Sequence, residues 1–308
     1  MTPLSRRDFL TITAASLAAA PTLLAAPGAL TAAEILARVK DKLGGTWTAD
    51  TVDGIKAGDL DTPVTGIVTT ALASLEVLRA ATGAGANMVV TSEPVFFSRA
   101  DTPTPPVRRM PGAPPPPADA PPPPPDPVFT AKAAFLKEHR MVVLRLGEHW
   151  RMQKPDPFAV GFAKDLRWQT YANKTDPLRL NIPAMPLDGL VSHVKTKLGS
   201  RGGIRVIGDR KLQVKTVGFL SGSTAIQASL DMLPQVDALV VGEVREWEAV
   251  EYVRDTVALG GKKALIYVGR VVSEEPGMRQ CADWLKTVVP GLPITFRSAG
   301  DPYWRPTA

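Results

Sequence analysis

Side chains able to do chemistry gather where short apolar runs stop. Met88 to Val90 is an apolar run of strand length, broken by Thr91-Ser92-Glu93 and stopped by Pro94, so a buried strand delivers Ser92 and Glu93 to its C-terminal edge. Three further runs end alike. Met141 to Leu146 leads into Gly147-Glu148-His149, Ala238 to Val241 into Gly242-Glu243, and Ala264 to Val268 into Gly269-Arg270 and on to Glu274. Open α/β sheets place their chemistry at that edge. Four strands therefore aim acids, one histidine and one arginine at a common rim. Carboxylates beside an imidazole suit a divalent cation, whereas a guanidinium suits a carboxylate or a phosphate.

The elements that must hold this rim alternate along the chain. Ile35, Leu36, Val39 and Leu43 have helical spacing, with Thr31 and Glu34 as a capping box and Gly44-Gly45 as the stop. A strand over 65–71, a helix over 74–84 and the strand ending at Thr91 form a parallel crossover unit. Helices follow over 129–139 and 158–166, with the strand 141–146 and a loop over 148–157 between them. Strands over 178–182, 204–207 and 213–219 flank a helix on which Leu187, Leu190, Val191, Val194 and Leu198 share one face. The turn 218–223 leads into a helix over 224–233 and reads as a tight strand-to-helix connection more readily than as an anion cradle. Strands over 236–241 and 264–268 alternate with a helix over 245–259, whose Trp247, Val250, Val253 and Val257 are expected inward. Met278, Cys281, Ala282 and Leu285 line the last helix, which makes Cys281 a packing residue.

The two halves repeat this layout. The expected fold class is α/β (α+β): two similar lobes with mixed sheets flanked by helices and a cleft between them. The first lobe spans 30–170 and the second 171–308, with its last segment returning to the shared cleft. Residues 101–127 hold fourteen of the chain's thirty prolines and form a surface insertion of polyproline II character in the first lobe. Ser5-Arg6-Arg7-Asp8-Phe9-Leu10 before an alanine-rich stretch reads as a twin-arginine signal peptide over 1–29, which implies a periplasmic or otherwise exported protein. That stretch is too short and weakly apolar for a stable membrane span after signal removal.

With 308 residues and 44% hydrophobic content the chain can bury one large core or two smaller ones. One cysteine excludes an internal disulfide framework. The net charge of +6 is spread among interleaved acids and bases, a solvated surface and not a nucleic-acid footprint. Phosphate-loop, nucleophile-elbow and dinucleotide signatures are missing from the sequence.

Several motifs in order give a more specific reading. Gly54-Ile55-Lys56-Ala57-Gly58-Asp59, Asp61-Thr62-Pro63-Val64, Val90-Thr91-Ser92-Glu93-Pro94, His149, Gly242-Glu243 and the run from Gly269-Arg270 through Glu274 to Met278 resemble the Nif-three-like dinuclear metal centre family, also labelled GTP cyclohydrolase I type 2 homologue. The resemblance runs from about Ala33 to Trp304, apart from the proline segment and parts of the middle. It implies two α/β lobes, a toroidal homo-hexamer and a two-metal site in the cleft, with hydrolase activity on nucleotide-like or phosphate compounds.

Carried over by position, the family's first pair of histidines falls on Ser92 and Glu93. The next histidine is His149, its aspartate partner falls on Gln153, the last histidine falls on Arg270, and its glutamate is Glu274. Glu93, His149 and Glu274 are thus candidate ligands for one zinc, manganese or iron ion, with Asp101 and Glu243 as further oxygens. Glu274 and Arg270 are the candidate catalytic pair of a metal-dependent hydrolase. Ser92, Arg151 and Arg270 are candidate contacts to a small anionic ligand. In the alternative, Arg270 replaces the metal by pairing with Glu93 and Glu274, and the chain is a non-catalytic binding or scaffold protein. In a third, these residues are structural ion pairs between lobes.

Overall fold

The structure, a computed structural model, describes residues 29–44, 47, 48, 50–102, 112, 126–199 and 203–306. Nearly all of the expected twin-arginine leader and of the proline-rich insertion lies outside these residues. The first half contains α1 (Ala32–Lys42), β1 (Gly54–Ala57), β2 (Ile67–Thr70), α2 (Leu75–Gly83), β3 (Met88–Thr91), α3 (Pro127–Glu138), β4 (Val142–Arg145), α4 (Glu148–Arg151) and α5 (Pro157–Asp165). The second contains β5 (Arg179–Pro186), α6 (Leu187–Lys197), β6 (Arg205–Ile207), β7 (Gln213–Ser223), α7 (Ile226–Met232), β8 (Ala238–Glu243), α8 (Glu251–Ala258), β9 (Ala264–Tyr267), α9 (Arg270–Val288) and β10 (Ile294–Phe296).

Helix starts follow local chemistry. Thr31 accepts from the Glu34 amide while Glu34 accepts from the Thr31 amide, the expected capping box. Asp126 and Asp156 cap α3 and α5, each with proline at the first turn, where its missing N–H costs nothing.

Two five-stranded mixed sheets result. One has the order β1-β4-β3-β2-β10 and the other β5-β7-β8-β9-β6. In each, parallel central strands are bordered by antiparallel partners: β1 on β4, β5 on β7 and β6 on β9. Strands β2, β3 and β4 are buried at every position, as continuous apolar runs covered on both faces require. The final strand, β10, pairs with β2, so the chain ends its fold in the first sheet.

Register decides what reaches the rim. Thr91 of β3 faces Arg145 of β4, so Ser92-Glu93 and Gly147-Glu148 leave their sheet side by side. Val241 of β8 faces Tyr267 of β9, which does the same for Gly242-Glu243 and Gly269-Arg270.

Helix α9 joins the two sheets. Thr69 donates to the Met278 carbonyl at 2.8 Å, and Trp150 Nε1 donates to the Gly277 carbonyl at 3.1 Å. One core runs from Ile67, Val90 and Leu144 through Met278, Cys281 and Leu285 to Val217, Val240 and Ile266. Helix α5 crosses α9 on small residues. A Cβ on Gly277 would sit 2.2 Å from the Phe158 ring, and one on Gly161 would sit 2.3 Å from the Pro276 carbonyl oxygen. Burial holds the Cys281 thiol in its neutral form, in line with a packing role.

The structure departs from the sequence reading in places. A helical turn, α4, stands where a loop is expected. Trp247 is 73% exposed instead of inward, because 246–250 winds as a π-helical turn that rotates it off the face carrying Val253. The turn 218–223 continues β7, and the Gly222 amide is already bonded to Ser273 Oγ at 2.9 Å.

Candidate functional site

The C-terminal edges of the two sheets face one another across a cavity of about 370 Å³. Ser92 and Glu93 enter from the end of β3, Arg145 and Arg151 from β4 and α4, and Arg270 and Glu274 from the first two turns of α9.

Arg270 grips Glu93 with two prongs. Its Nε donates to Glu93 Oε1 at 2.8 Å and its Nη2 to the other oxygen, while Nη1 lies 3.5 Å from Glu243. Burial opposes the Arg270 charge, but Glu93, Glu274 and Glu243 outweigh it and raise its pKa further. The guanidinium is a permanent cation fixed in the site.

Glu274 is the most enclosed acid of the group, with 1% of its surface exposed. Ser92 Oγ donates to its Oε2 at 2.6 Å, and Arg151 Nη2 donates to its Oε1 at 3.0 Å. Burial, and then the charge of Glu93, push Glu274 up to about 8 against the pull of Arg151 and Ser92. At neutral pH Glu274 is therefore largely protonated. Arg151 spans the lobes: it donates to Ser221 on β7 and lies 4.1 Å over the Phe158 ring. Only glycine fits at 222, where φ is +72° and a Cβ would stand 2.5 Å from Glu274 Oε1.

His149 is turned away from the cavity. Its Nδ1 lies 2.9 Å from Asp53 Oδ2, its Nε2 accepts from the Thr48 amide at 3.2 Å, and its ring stacks on Trp47 at 4.1 Å. An Nε2 that accepts puts the proton on Nδ1, facing Asp53. Asp53 also accepts from the amides of Gly147, Glu148 and His149, closing the start of α4. The imidazole expected to join Glu93 and Glu274 as a ligand instead ties Trp47, Thr48 and Asp53 to the end of β4. Gln153 donates to the His149 carbonyl at 3.3 Å and stays on α4's own backbone.

The donor set does not suit a metal. Both Glu93 oxygens are held by Arg270, both Glu274 oxygens accept from protein donors, and both His149 nitrogens are engaged. Among the described residues no group of three or more His, Cys, Asp or Glu is arranged to hold a metal ion. Asp101 accepts from the Phe96 amide and pairs with Arg145, Glu243 faces Arg270, and neither is among the residues that line the cavity. What the structure does bring together is Ser92, Glu93, Arg151, Arg270 and Glu274. Arg145 is the residue that sequence reasoning passed over. Its signal is a lone charge inside the apolar run 141–146.

Residues 174–301 match the Duf34/NIF3 (NGG1p interacting factor 3) family model. Over that stretch the chain is similar to the NIF3 family. Solved structures share the fold. Protein ybgI, of unknown function, superposes with a TM-score of 0.65 at 19% identity, covering 89% of this chain and 100% of its own. Staphylococcus aureus protein SA1388 gives 0.63 at 15% identity over 90% and 99%. The Bacillus cereus protein related to NIF3 gives 0.63 at 13% identity over 90% and 99%. At such identities the likeness is one of fold. No curated protein matches the chain.

Proposed function

We propose that this NIF3-like protein is a binding protein that receives a small anionic ligand in the inter-lobe cavity, with Arg270 in the place of a metal ion. One observation carries the reading: Arg270 holds both oxygens of Glu93 at the position where the family resemblance puts a metal ligand. A guanidinium there repels cations and supplies the positive charge that the carboxylates need. Ser92 and Arg151 line the same cavity, where both hold Glu274 and Arg151 adds positive charge toward an anion.

A one-metal hydrolase using Glu93, His149 and Glu274 would need three rearrangements. Glu93 must leave Arg270, Glu274 must give up its proton, and His149 must part from Asp53 and Trp47. Their combined cost weighs toward binding without turnover. Calorimetric titration with inorganic phosphate and small carboxylates, with and without added manganese or zinc, tests the choice. Metal-independent binding supports the reading. Ester hydrolysis that appears only with metal and is abolished by Glu274→Ala contradicts it.

Two further proposals rest on sequence. The twin-arginine leader places the mature protein in the periplasm or outside the cell, which fractionation of the intact chain checks. Assembly into a homo-hexamer follows from the family resemblance, and light scattering on the mature protein checks it.

A further inference from the structure

Charge accounting around the cavity singles out Arg145. Arg270 is hydrogen-bonded to Glu93, and Arg151 to Glu274. Glu148 accepts from Thr51 and the Val52 amide, and Asp156 from the Phe158 amide. Arg145 also lines the cavity and is 7% exposed; it forms an ion pair with buried Asp101 at 3.8 Å, too long for a hydrogen bond, and Asp101 Oδ2, which lies behind the cavity lining, also has no hydrogen-bond partner among the described residues. Its Nη1 donates to the Arg99 carbonyl, and its buried Nε has no hydrogen-bond partner among the described residues. Across the same cavity Thr224 Oγ1 is likewise buried and without a partner among them.

Two such atoms on one cavity mark a missing partner, because buried polar groups in folded proteins are almost always hydrogen-bonded. A guanidinium N–H asks for an oxyanion and a threonine hydroxyl for a hydroxyl or ether oxygen. Leu178 and Leu220 supply an apolar wall for the carbon skeleton between them. The cavity volume lies near the lower end of the range for small-molecule sites, room for a small anionic metabolite.

We infer that Arg145 and Thr224 form the recognition subsite of this cavity, Arg145 binding the oxyanion and Thr224 a hydroxyl of a small hydroxylated phosphate or carboxylate. This rests on the anion-binding reading above and adds to it the group that reads the charge. Arg151 and Arg270 are then positioning residues, hydrogen-bonded to Glu274 and Glu93.

Titration of the mature protein with glycerol 3-phosphate, glycerate, inorganic phosphate and glycerol tests the subsite, with the first two separating phosphate from carboxylate as the anion. Arg145→Gln should weaken binding of the preferred anion about tenfold or more, with Arg145→Lys in between. Thr224→Val, a near-isosteric change outside the core, should weaken the hydroxylated anion about threefold and leave inorganic phosphate unchanged. Wild-type protein that binds an anion no better than either variant does overturns the subsite while leaving the anion-binding reading in place. Wild-type protein that binds none of the four overturns both. Should Arg145→Gln fail to fold, equal binding of the hydroxylated anion by wild type and Thr224→Val overturns the assignment.

Discussion

Glu274 sets how the site answers to pH. Its folded pKa, near 8, stands above the unfolded value of 4.5, so the folded chain binds this proton more tightly. The contribution to stability is fully present below pH 4.5 and is lost as pH rises through 8, with a slope of at most about 1.4 kcal/mol per pH unit between them. Glu274→Gln keeps the shape and removes the titration. Melting curves from pH 5 to 9 should show a shallower decline for the variant than for wild type, and parallel declines would count against the assigned environment. Arg270→Ala leaves the buried Glu93 without its two-pronged partner. Since Arg270 is partly exposed, a loss of about 2 kcal/mol is expected in urea unfolding, less than the 3–5 kcal/mol of fully buried pairs. Arg270→Lys should recover only part of it, because an ammonium cannot reproduce the paired geometry.

Among the elements, the short helix α4 depends on a residue far from it in sequence. Asp53 collects three amides and the His149 ring, so Asp53→Ala strands several donors at once. A loss of about 2 kcal/mol or more in urea unfolding is expected, together with faster hydrogen exchange of the Glu148 and His149 amides. Unchanged exchange there would contradict the capping role. This contact also shows where sequence reading runs out. The strand ends at Glu93, Gly147, Glu243 and Gly269 were legible because apolar runs stop sharply there. His149's partners Thr48 and Asp53 lie 101 and 96 residues away and leave no periodic trace. Strand β1 is half-buried throughout and β10 has three residues, too little pattern for either to announce itself. Trp247 went astray because a π-helical turn breaks the spacing on which a helical face is read.

At the scale of the whole molecule, α9 binds the lobes into one core and carries Arg270 and Glu274 to the cavity. The crossing with α5 is tight, so Gly277→Ala should cost about 1–3 kcal/mol by driving into the Phe158 ring and should disturb the neighbouring Arg151 as well. Thermal unfolding alongside anion titration would register both effects, and an unperturbed variant would mean the crossing is looser than described. The central claim is that a guanidinium stands in for a metal. Metal content of the tag-free mature protein, measured after incubation with manganese or zinc and removal of excess ion, tests it most directly. The account predicts far less than one bound ion per chain and no change on Glu274→Ala. One ion per chain, retained by wild type and lost in Glu274→Ala, would contradict it.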